Sequence, residues 1–405
     1  MKLLLYSLNY APELTGIGKY NGELVPFLVK KGIETHVVTA QPYYPEWQRH
    51  RGYRNFWTTH RPERNLYIYR CPLFVPRKLT TVKRILHLIS FSVSSAIRLF
   101  TLLRVKPDIV LLIQPTLFCA PMAILYCKLT GAKPMMHIQD FEVDAMLGLG
   151  LGGEGRVKTI VKRIESWLLD RFQIISSISH SMLENAKSKG VPEKKLLFFP
   201  NWTDTDFISS EKTGDTLRAE WGYSKDEKII LYSGNIGVKQ GLEIILEAAE
   251  QLSSKKNVKF LIVGSGAYGQ QLKDKAAERG LINIDFKPLQ PWSLMPEILT
   301  MADVHLVVQK RGAADAVLPS KLTNILSAGG HALVTADTDT ELGQIALSHP
   351  GIYTCVIPEN ISCFIDGLNK VLSYDTQTVN TIARQFAVEN ININRVISRF
   401  ILDIS

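Results

Sequence analysis

The chain has 405 residues, of which 46% are hydrophobic and 21% are charged, a composition that fits two globular domains and excludes a disordered or fibrous protein. Its five cysteines are scattered without a C-x-x-C pair, which argues against a zinc site and against a disulfide framework. The net charge of +9 is uneven, because residues 1–200 hold 28 Lys and Arg against 14 Asp and Glu.

The N-terminal half alternates apolar runs of strand length with amphipathic runs of helix length. Its start, MKLLLYSLNYAPE, has too short an apolar run for a signal peptide and predicts a first strand. The uncharged residues 109–127 include Gln114, Pro115 and Pro121, so they predict a strand, a turn and a helix instead of a membrane span. Strands are predicted at 2–8, 34–39, 66–69, 108–113, 133–138, 172–177 and 196–199, and helices include 19–31 and 116–130.

Residues 47–106 form a basic region with 13 Lys and Arg, interleaved aromatic residues and a single acid, Glu63. Such a region is attracted to nucleic-acid phosphates or to anionic lipid headgroups. A solvated basic face without any partner is the plain alternative.

The C-terminal half continues the same alternation, with strands predicted at 228–233, 258–263, 282–286, 304–308, 332–335 and 352–356. The alternation pauses once, at residues 200–227. We therefore predict an α/β protein of two Rossmann-like, doubly wound parallel-sheet domains, 1–205 and 206–385, facing a cleft where ligands bind. Residues 386–405 predict a C-terminal helix that packs back toward the N-terminal domain.

The sequence Pro319-Ser320-Lys321-Leu322 follows the predicted strand 304–308 and a Gly- and Ala-rich connection. Proline suits the first turn of a helix, whose unpaired N–H groups and partial positive charge attract a diphosphate. Further cations surround this turn, namely Lys310 and Arg311. An ordinary capped helix with solvated charges is the alternative.

Two other glycine turns follow predicted strands. The first is Gly16-Ile17-Gly18, which either admits a sugar or pyrophosphate or is a plain turn. The second runs from Ser233 through Gly234 and Asn235 to Gly237. Three polar side chains in this second turn or just after it can bond phosphate or sugar oxygens, namely Asn235, Lys239 and Gln240.

Residues 264–269 match the G-x-G-x-x-G fingerprint of dinucleotide-binding proteins, with Asp285 about twenty positions later. This match supports an NAD-dependent oxidoreductase as an alternative. However, the unit is not the first of its domain, and Asp285 falls within a predicted strand. A close-packing glycine turn, including Gly266, is the favoured interpretation.

The run from His137 to Asp140 ends the predicted strand 133–138, and Glu142 and Asp144 follow it. A histidine or carboxylate at a strand end can orient or deprotonate an acceptor hydroxyl. The sequence contains no G-x-S-x-G elbow, no P-loop and no H-E-x-x-H motif, so those chemistries have no support.

Taken in order, the segments NYAPELTGIGKY, HIQDFEVDAM, YSGNIG and VVQKRGAAD through PSKLTN resemble the glycosyltransferases of colanic acid biosynthesis. The resemblance runs nearly end to end. It implies a family-four-type enzyme of GT-B fold that transfers a hexose, fucose from GDP-fucose, with retention onto an undecaprenyl-diphosphate-linked saccharide of an exopolysaccharide. It also implies a cytoplasmic enzyme at the inner face of the membrane that needs no metal or other cofactor.

With this resemblance, we predict that the C-terminal domain binds the nucleotide diphosphate and that the N-terminal domain binds the acceptor. Asp140 or His137 lies beside the reacting centre, and the basic region 47–106 docks on anionic headgroups and not on nucleic acid. The residues assigned to the nucleotide-sugar are Gly16, Gly18, Gly234, Asn235, Lys239, Gln240, Gly266, Arg311, Ser320, Lys321, Leu322 and Asn324.

Some positions depart from the wider family pattern. The two family glutamates, eight residues apart, fall on Ala316 and Asn324, with Asp315 adjacent to the first. The phosphate-binding Arg and Lys fall on Asn235 and Gln240, so the cationic role moves to Lys239, Arg311 or Lys321. Another donor sugar, a nucleic-acid-binding protein and a non-catalytic scaffold remain as alternatives.

Overall fold

The computed structural model describes residues 1–78, 80–144, 156–211, 213–311 and 319–405, without the side chains of Arg156, Val157 and Lys239. The chain divides into two compact units. The first comprises Met1–Phe199 with Phe400–Ser405, and the second comprises Pro200–Arg399.

An eight-stranded sheet forms the centre of the first unit. Its strands are β1 (Lys2–Tyr6), β2 (Glu34–Ala40), β3 (Thr58–Glu63), β4 (Leu66–Cys71), β5 (Ile109–Gln114), β6 (Lys133–Ile138), β7 (Ile174–Ser177) and β8 (Leu196–Phe198). They lie in the order β3-β4-β2-β1-β5-β6-β7-β8, and β3 alone of these is antiparallel to its neighbour. The helices are α1 (Gly16–Lys30), α2 (Thr81–Thr101), α3 (Ala120–Thr130), α4 (Arg156–Leu169) and α5 (His180–Ser188).

A six-stranded parallel sheet forms the centre of the second unit. Its strands are β9 (Lys228–Asn235), β10 (Val258–Ser265), β11 (Ile284–Lys287), β12 (Val304–Val307), β13 (Ala332–Thr335) and β14 (Thr354–Val356), in the order β11-β10-β9-β12-β13-β14. The helices that begin in this unit are α6 (Asp215–Glu220), α7 (Glu243–Gln251), α8 (Gly269–Glu278), α9 (Met295–Thr300), α10 (Ser320–Ala328), α11 (Glu341–Ser348), α12 (Ile361–Leu372), α13 (Thr381–Phe386) and α14 (Ile393–Ile404). The last residues of α14, from Phe400 on, belong to the first unit.

Central strands are buried on both faces, which explains their continuous apolar sequences. All six residues of β5 are buried, and so are the last four of β1. In the second unit, separate apolar clusters form around Phe260 and around Leu322. Helices covering both faces of a parallel sheet bury such strands completely, as the sequence predicted.

Three local predictions are corrected. The edge strand β3 was missed because TTHRPE is polar and exposed and contains Pro62, which is tolerated at a sheet edge but resembles a loop in sequence. Helix α1 begins at Gly16 and not at residue 19, so Gly16 and Gly18 belong to its first turn. The segment 116–130 starts with a 3-10 turn, Leu117–Cys119, before α3.

The uncharged residues 109–127 fold as β5, this 3-10 turn and most of α3, in agreement with the sequence interpretation. Across the described ranges, the helices are either too short or too polar to cross a lipid bilayer.

Candidate active site

The first turn of α10 presents backbone N–H groups without a side-chain cap. Pro319 precedes the helix in an extended conformation (φ −62°, ψ 138°) and its side chain can accept no hydrogen bond. The N–H of Leu322 bonds the carbonyl of Pro319 at 2.8 Å, while Ser320 is exposed at the helix start. The first N–H groups of a helix have no partner within it, so this turn is suited to bind an anion.

Lys321 lies in the same turn and reaches the end of β9. Its Nζ donates to the hydroxyl of Tyr232 at 2.9 Å, and this hydroxyl donates to the carbonyl of Asn235 at 2.7 Å. Burial lowers the pKa of Lys321 to about 8. Within the described ranges no carboxylate lies within 4.0 Å of its Nζ, so a bound anion would be the missing counter-charge.

Gly234 keeps open the space beside this ammonium group. A Cβ at Gly234 would lie 3.4 Å from Lys321 Nζ, an ordinary contact, but the φ of +150° favours glycine at this position. Asn235 is exposed one residue later, at the end of β9. The structure therefore brings Gly234, Asn235 and Lys321 together at one carboxyl edge of the second sheet.

The glycines of the dinucleotide fingerprint have a packing role. A Cβ on Gly264 would lie 1.9 Å from the carbonyl oxygen of Gly234, and one on Gly266 would lie 2.2 Å from that of Ile236. The carboxylate of Asp285 accepts a hydrogen bond from the hydroxyl of Tyr223 at 2.8 Å. These contacts agree with the close-packing interpretation. The carboxylate of Asp285, which would contact the ribose in a dinucleotide-binding protein, is bonded to Tyr223 instead.

A short 3-10 turn, Val238–Gln240, follows β9. The Oε1 atom of Gln240 is buried and finds no hydrogen-bond partner among the described residues. An unpaired buried acceptor costs about 1–3 kcal/mol, so a ligand hydroxyl or ammonium would stabilise it. The predicted contact from the Lys239 side chain lies outside the described structure.

Arg311 is mostly exposed and already has partners. Its Nε lies 3.3 Å from an oxygen of Asp337, and its backbone N–H donates to Glu359 at 3.2 Å. An exposed pair of this kind exchanges partners at little cost. The following residues, including Asp315 and Ala316, lie outside the described structure, and the acidic family position falls among them.

Two further residues of α10 have different surroundings. The Oδ1 atom of Asn324 accepts a hydrogen bond from Thr203 Oγ1 at 2.9 Å, which leaves its amide group to donate. The side chain of Leu322 is fully buried in the core of the second unit. Leu322 therefore anchors α10, and its side chain is not exposed to a ligand.

The first unit has polar groups at the carboxyl end of β6. His137 is 3% exposed, its Nδ1 lies 2.9 Å from Ser176 Oγ, and Gln139 Nε2 donates to its Nε2 at 2.9 Å. Burial lowers the pKa of His137 to about 3, so the imidazole is neutral at physiological pH. Asp140, two residues beyond the strand, is exposed.

A cavity of ≈ 250 Å³ lies at the same edge of the first unit. Glu142 lines it, accepts a hydrogen bond from the N–H of Leu117 at 2.9 Å and has its pKa raised by burial. His87 also lines it, and its Nε2 is buried without a hydrogen-bond partner in the described part of the chain. The remaining lining residues are Leu8, Asn9, Gly16, Ile17, Tyr43, Tyr44, Trp47, Arg84, Leu88 and Pro115.

Glu13 holds the loops around this cavity and was missed by the sequence analysis. Its carboxylate accepts the N–H groups of Tyr43 and Tyr44 at 2.9 and 3.0 Å and the amide of Asn9 at 2.9 Å. A Cβ on Gly18 would lie 2.6 Å from that of Glu13, so Gly18 serves packing. An acid just before the glycine turn was the available signal, but its partners lie up to 31 positions away.

Comparisons with known proteins agree with this geometry. The family of glycosyl transferase 4-like domains matches residues 15–202, and the family of glycosyl transferases group 1 matches residues 214–385. The chain is 47% identical to the colanic acid biosynthesis glycosyl transferase WcaI of Escherichia coli K12, over 100% of both chains.

Solved structures show the same fold at low identity. Sucrose-phosphate synthase from Thermosynechococcus elongatus is similar with a TM-score of 0.74 and 14% identity, covering 99% of this chain and 97% of that one. Anabaena HepE in complex with UDP-glucose is similar with a TM-score of 0.64 and 13% identity, covering 100% of both. From the full-length identity and the two family matches, we conclude that the chain belongs to the GT-B glycosyltransferases of colanic acid biosynthesis.

Proposed function

We propose that this glycosyltransferase moves fucose from GDP-fucose onto an undecaprenyl-diphosphate-linked saccharide, with retention at the sugar C1. One observation carries the donor site: the uncapped start of α10 includes Lys321, whose buried ammonium group bonds the neutral hydroxyl of Tyr232 and has no carboxylate within 4.0 Å among the described residues. Both features favour an anion, and together they offset the charge of a leaving nucleoside diphosphate. The full-length similarity to WcaI supports the exopolysaccharide pathway.

The remaining donor contacts follow from the same edge of the second unit. Asn324 donates its amide to a ribose hydroxyl, because its Oδ1 is already held by Thr203. Gln240 Oε1 accepts from the donor, since it has no partner in the described residues. Lys239 and Arg311 supply further positive charge, and Ser320 supplies a backbone N–H.

The acceptor sugar occupies the cavity of the first unit. Glu142 offers an acceptor, Arg84 a donor, and the rings of Tyr43 and Trp47 an apolar surface for a sugar ring. The buried His87 Nε2, which lacks a partner in the described residues, accepts from a hydroxyl. Asp140 is the better candidate for orienting the reacting hydroxyl. His137 has a low pKa and makes two hydrogen bonds, so we assign His137 a positioning role.

The transfer step balances without any further reactant. The bond between the sugar C1 and the β-phosphate oxygen breaks, and the acceptor oxygen bonds to C1 on the same face. Its proton passes to the departing diphosphate oxygen, whose charge Lys321 and the helix start stabilise.

A thermal-shift panel tests the donor assignment. GDP and GDP-fucose should raise the unfolding midpoint, because a ligand at about 100 times its Kd stabilises the native state by about 2.7 kcal/mol. NAD should have no effect. A shift with UDP-sugars and none with GDP or GDP-fucose would assign another donor, and a shift with NAD alone would overturn the transferase site.

The acceptor requires a membrane location, and we propose that the enzyme acts at the cytoplasmic face as a peripheral protein. The basic region 47–106 supports this proposal through its 13 cations and single acid. Removing the charges of Arg77, Lys78, Lys83 and Arg84 together should release the protein from anionic liposomes. Undiminished binding would contradict the proposal.

A further inference from the structure

The solvent-facing side of α2 is apolar along its whole length. Side chains on this side recur every three or four positions, which places them in one row, and each is between 38% and 66% exposed. We call this row the α2 stripe; it consists of Val82, Leu86, Ile89, Val93, Ile97 and Phe100.

The opposite side of α2 is buried, although it contains more polar residues. Ser94 Oγ donates to the carbonyl of Pro72 at 2.6 Å, and Ser95 Oγ lies 2.6 Å from the hydroxyl of Tyr6. His87 Nδ1 bonds the carbonyl of Phe74. These specific contacts fix the rotation of the helix, so the α2 stripe is held outward by the fold.

Neighbouring elements extend the apolar surface. Ser92 Oγ donates to the carbonyl of Phe118 at 2.8 Å, so the turn that carries the exposed Phe118 packs against α2. Helix α3 adds Leu125 and Leu129, which are 42% and 55% exposed. A row of exposed apolar side chains along a whole helix is uncommon on a protein that faces only water.

The charges around the stripe distinguish its possible partners. Residues 77–106 contain seven Lys and Arg and no Asp or Glu. A symmetric dimer formed through this surface would bring cations against cations, which disfavours it. An apolar row flanked by Lys and Arg is instead typical of a helix lying in the interface of an anionic bilayer.

We propose that α2 lies in the plane of an anionic membrane, with the α2 stripe inserted below the phosphates and the flanking cations bound to them. This proposal deepens the membrane location proposed above and rests on it. The same helix contributes Arg84, His87 and Leu88 to the acceptor cavity. Membrane insertion therefore places the cavity at the depth where the head of a lipid-linked acceptor is presented.

Vesicle binding tests the insertion. The probe is a vesicle of phosphatidylethanolamine and phosphatidylglycerol, and the variant combines Leu86→Gln, Val93→Gln and Ile97→Gln. The variant keeps every cation, so its binding should fall at least about tenfold at physiological salt and become strongly salt-dependent. A matched control, Ile282→Gln with Leu347→Gln, replaces apolar residues that are 89% and 61% exposed in the second unit and should bind as the wild type does.

Three outcomes are informative. Vesicle binding of the stripe variant equal to that of the wild type would overturn the insertion. A soluble dimer that the stripe variant abolishes, seen by light scattering, would overturn it in favour of a second copy. GDP-fucose should raise the unfolding midpoint of the stripe variant as much as that of the wild type. If GDP-fucose shifts the midpoint of neither protein, the proposed donor is refuted, while the vesicle result stays valid.

Discussion

At the scale of single residues, the buried Lys321 destabilises the ligand-free protein and provides the positive charge that we propose binds the donor diphosphate. Its ammonium group is removed from water, bonded to a neutral hydroxyl and without a carboxylate partner in the described residues. Burial of a charge without a counter-charge disfavours the folded state. A site for a diphosphate needs such a charge, because an internal carboxylate would compete with the ligand.

Replacing Lys321 with Met should stabilise the ligand-free protein and abolish the thermal shift with GDP. The folded pKa of about 8 lies below the ordinary lysine value of 10.5, so the destabilisation by the buried charge is fully present below pH 8 and absent above pH 10.5. The stability difference between Lys321→Met and wild type should therefore shrink between these values, as measured by urea unfolding. A variant less stable than wild type at pH 7 would contradict this account.

Asp140→Asn should remove transfer and preserve donor binding. If Asp140 orients the acceptor hydroxyl, the turnover number should fall about 100-fold or more, while the thermal shift with GDP is unchanged. Asp226→Asn, an exposed change in the second unit, should leave both measurements unchanged. Turnover of Asp140→Asn equal to that of the control would remove Asp140 from the proposed mechanism.

At the scale of elements, β9 and β10 approach too closely for a side chain at Gly264. The added Cβ of Gly264→Ala would meet the backbone oxygen of Gly234 at 1.9 Å, so the strands must separate. We expect a loss of about 3 kcal/mol or more in the free energy of unfolding. Gly280→Ala is the control: its φ of +64° costs about 1 kcal/mol, but nothing lies within 4 Å of its Cβ. Equal losses for the two variants would disprove the close approach.

Asp303 joins several elements of the second unit. Its carboxylate, 2% exposed, accepts from the N–H of Ile229 at 2.9 Å and from Lys228 and Thr376 at 3.0 Å each. Asp303→Ala should lower the free energy of unfolding by about 3–5 kcal/mol, because buried donors lose their acceptor. Urea unfolding measures this loss, with the exposed Asp274→Ala as control. A loss below about 1 kcal/mol would show that the network is dispensable.

Elements with strong local signals were predictable from the sequence. The start of α10 was marked by Pro319, and the central strands were marked by continuous apolar residues. The edge strand β3 was not predictable, because its stability comes from pairing with β4 and not from its own polar sequence. In the site, Lys321 was predicted but its partner Tyr232 was not, since 89 positions separate them.

At the scale of the whole molecule, charge is divided between the two halves of the chain. Residues 1–200 have a net charge of +14, whereas the remainder, with 19 Lys and Arg against 24 Asp and Glu, has −5. An anionic surface attracts the first half and repels the second. This division would orient the enzyme at an anionic surface before any apolar side chain touches the lipid. The net charges of the two halves predict this orientation without reference to the α2 stripe.

The lowered pKa of Lys321 also makes donor binding a proton-uptake reaction. At pH 8 the ligand-free lysine is about half protonated, and a bound diphosphate restores its full charge, so each GDP should bring about half a proton from the buffer. Calorimetry in two buffers of different ionisation enthalpy measures this number directly. Uptake should vanish in Lys321→Met and decline toward pH 6, which makes the protonation of one side chain a reporter of donor occupancy.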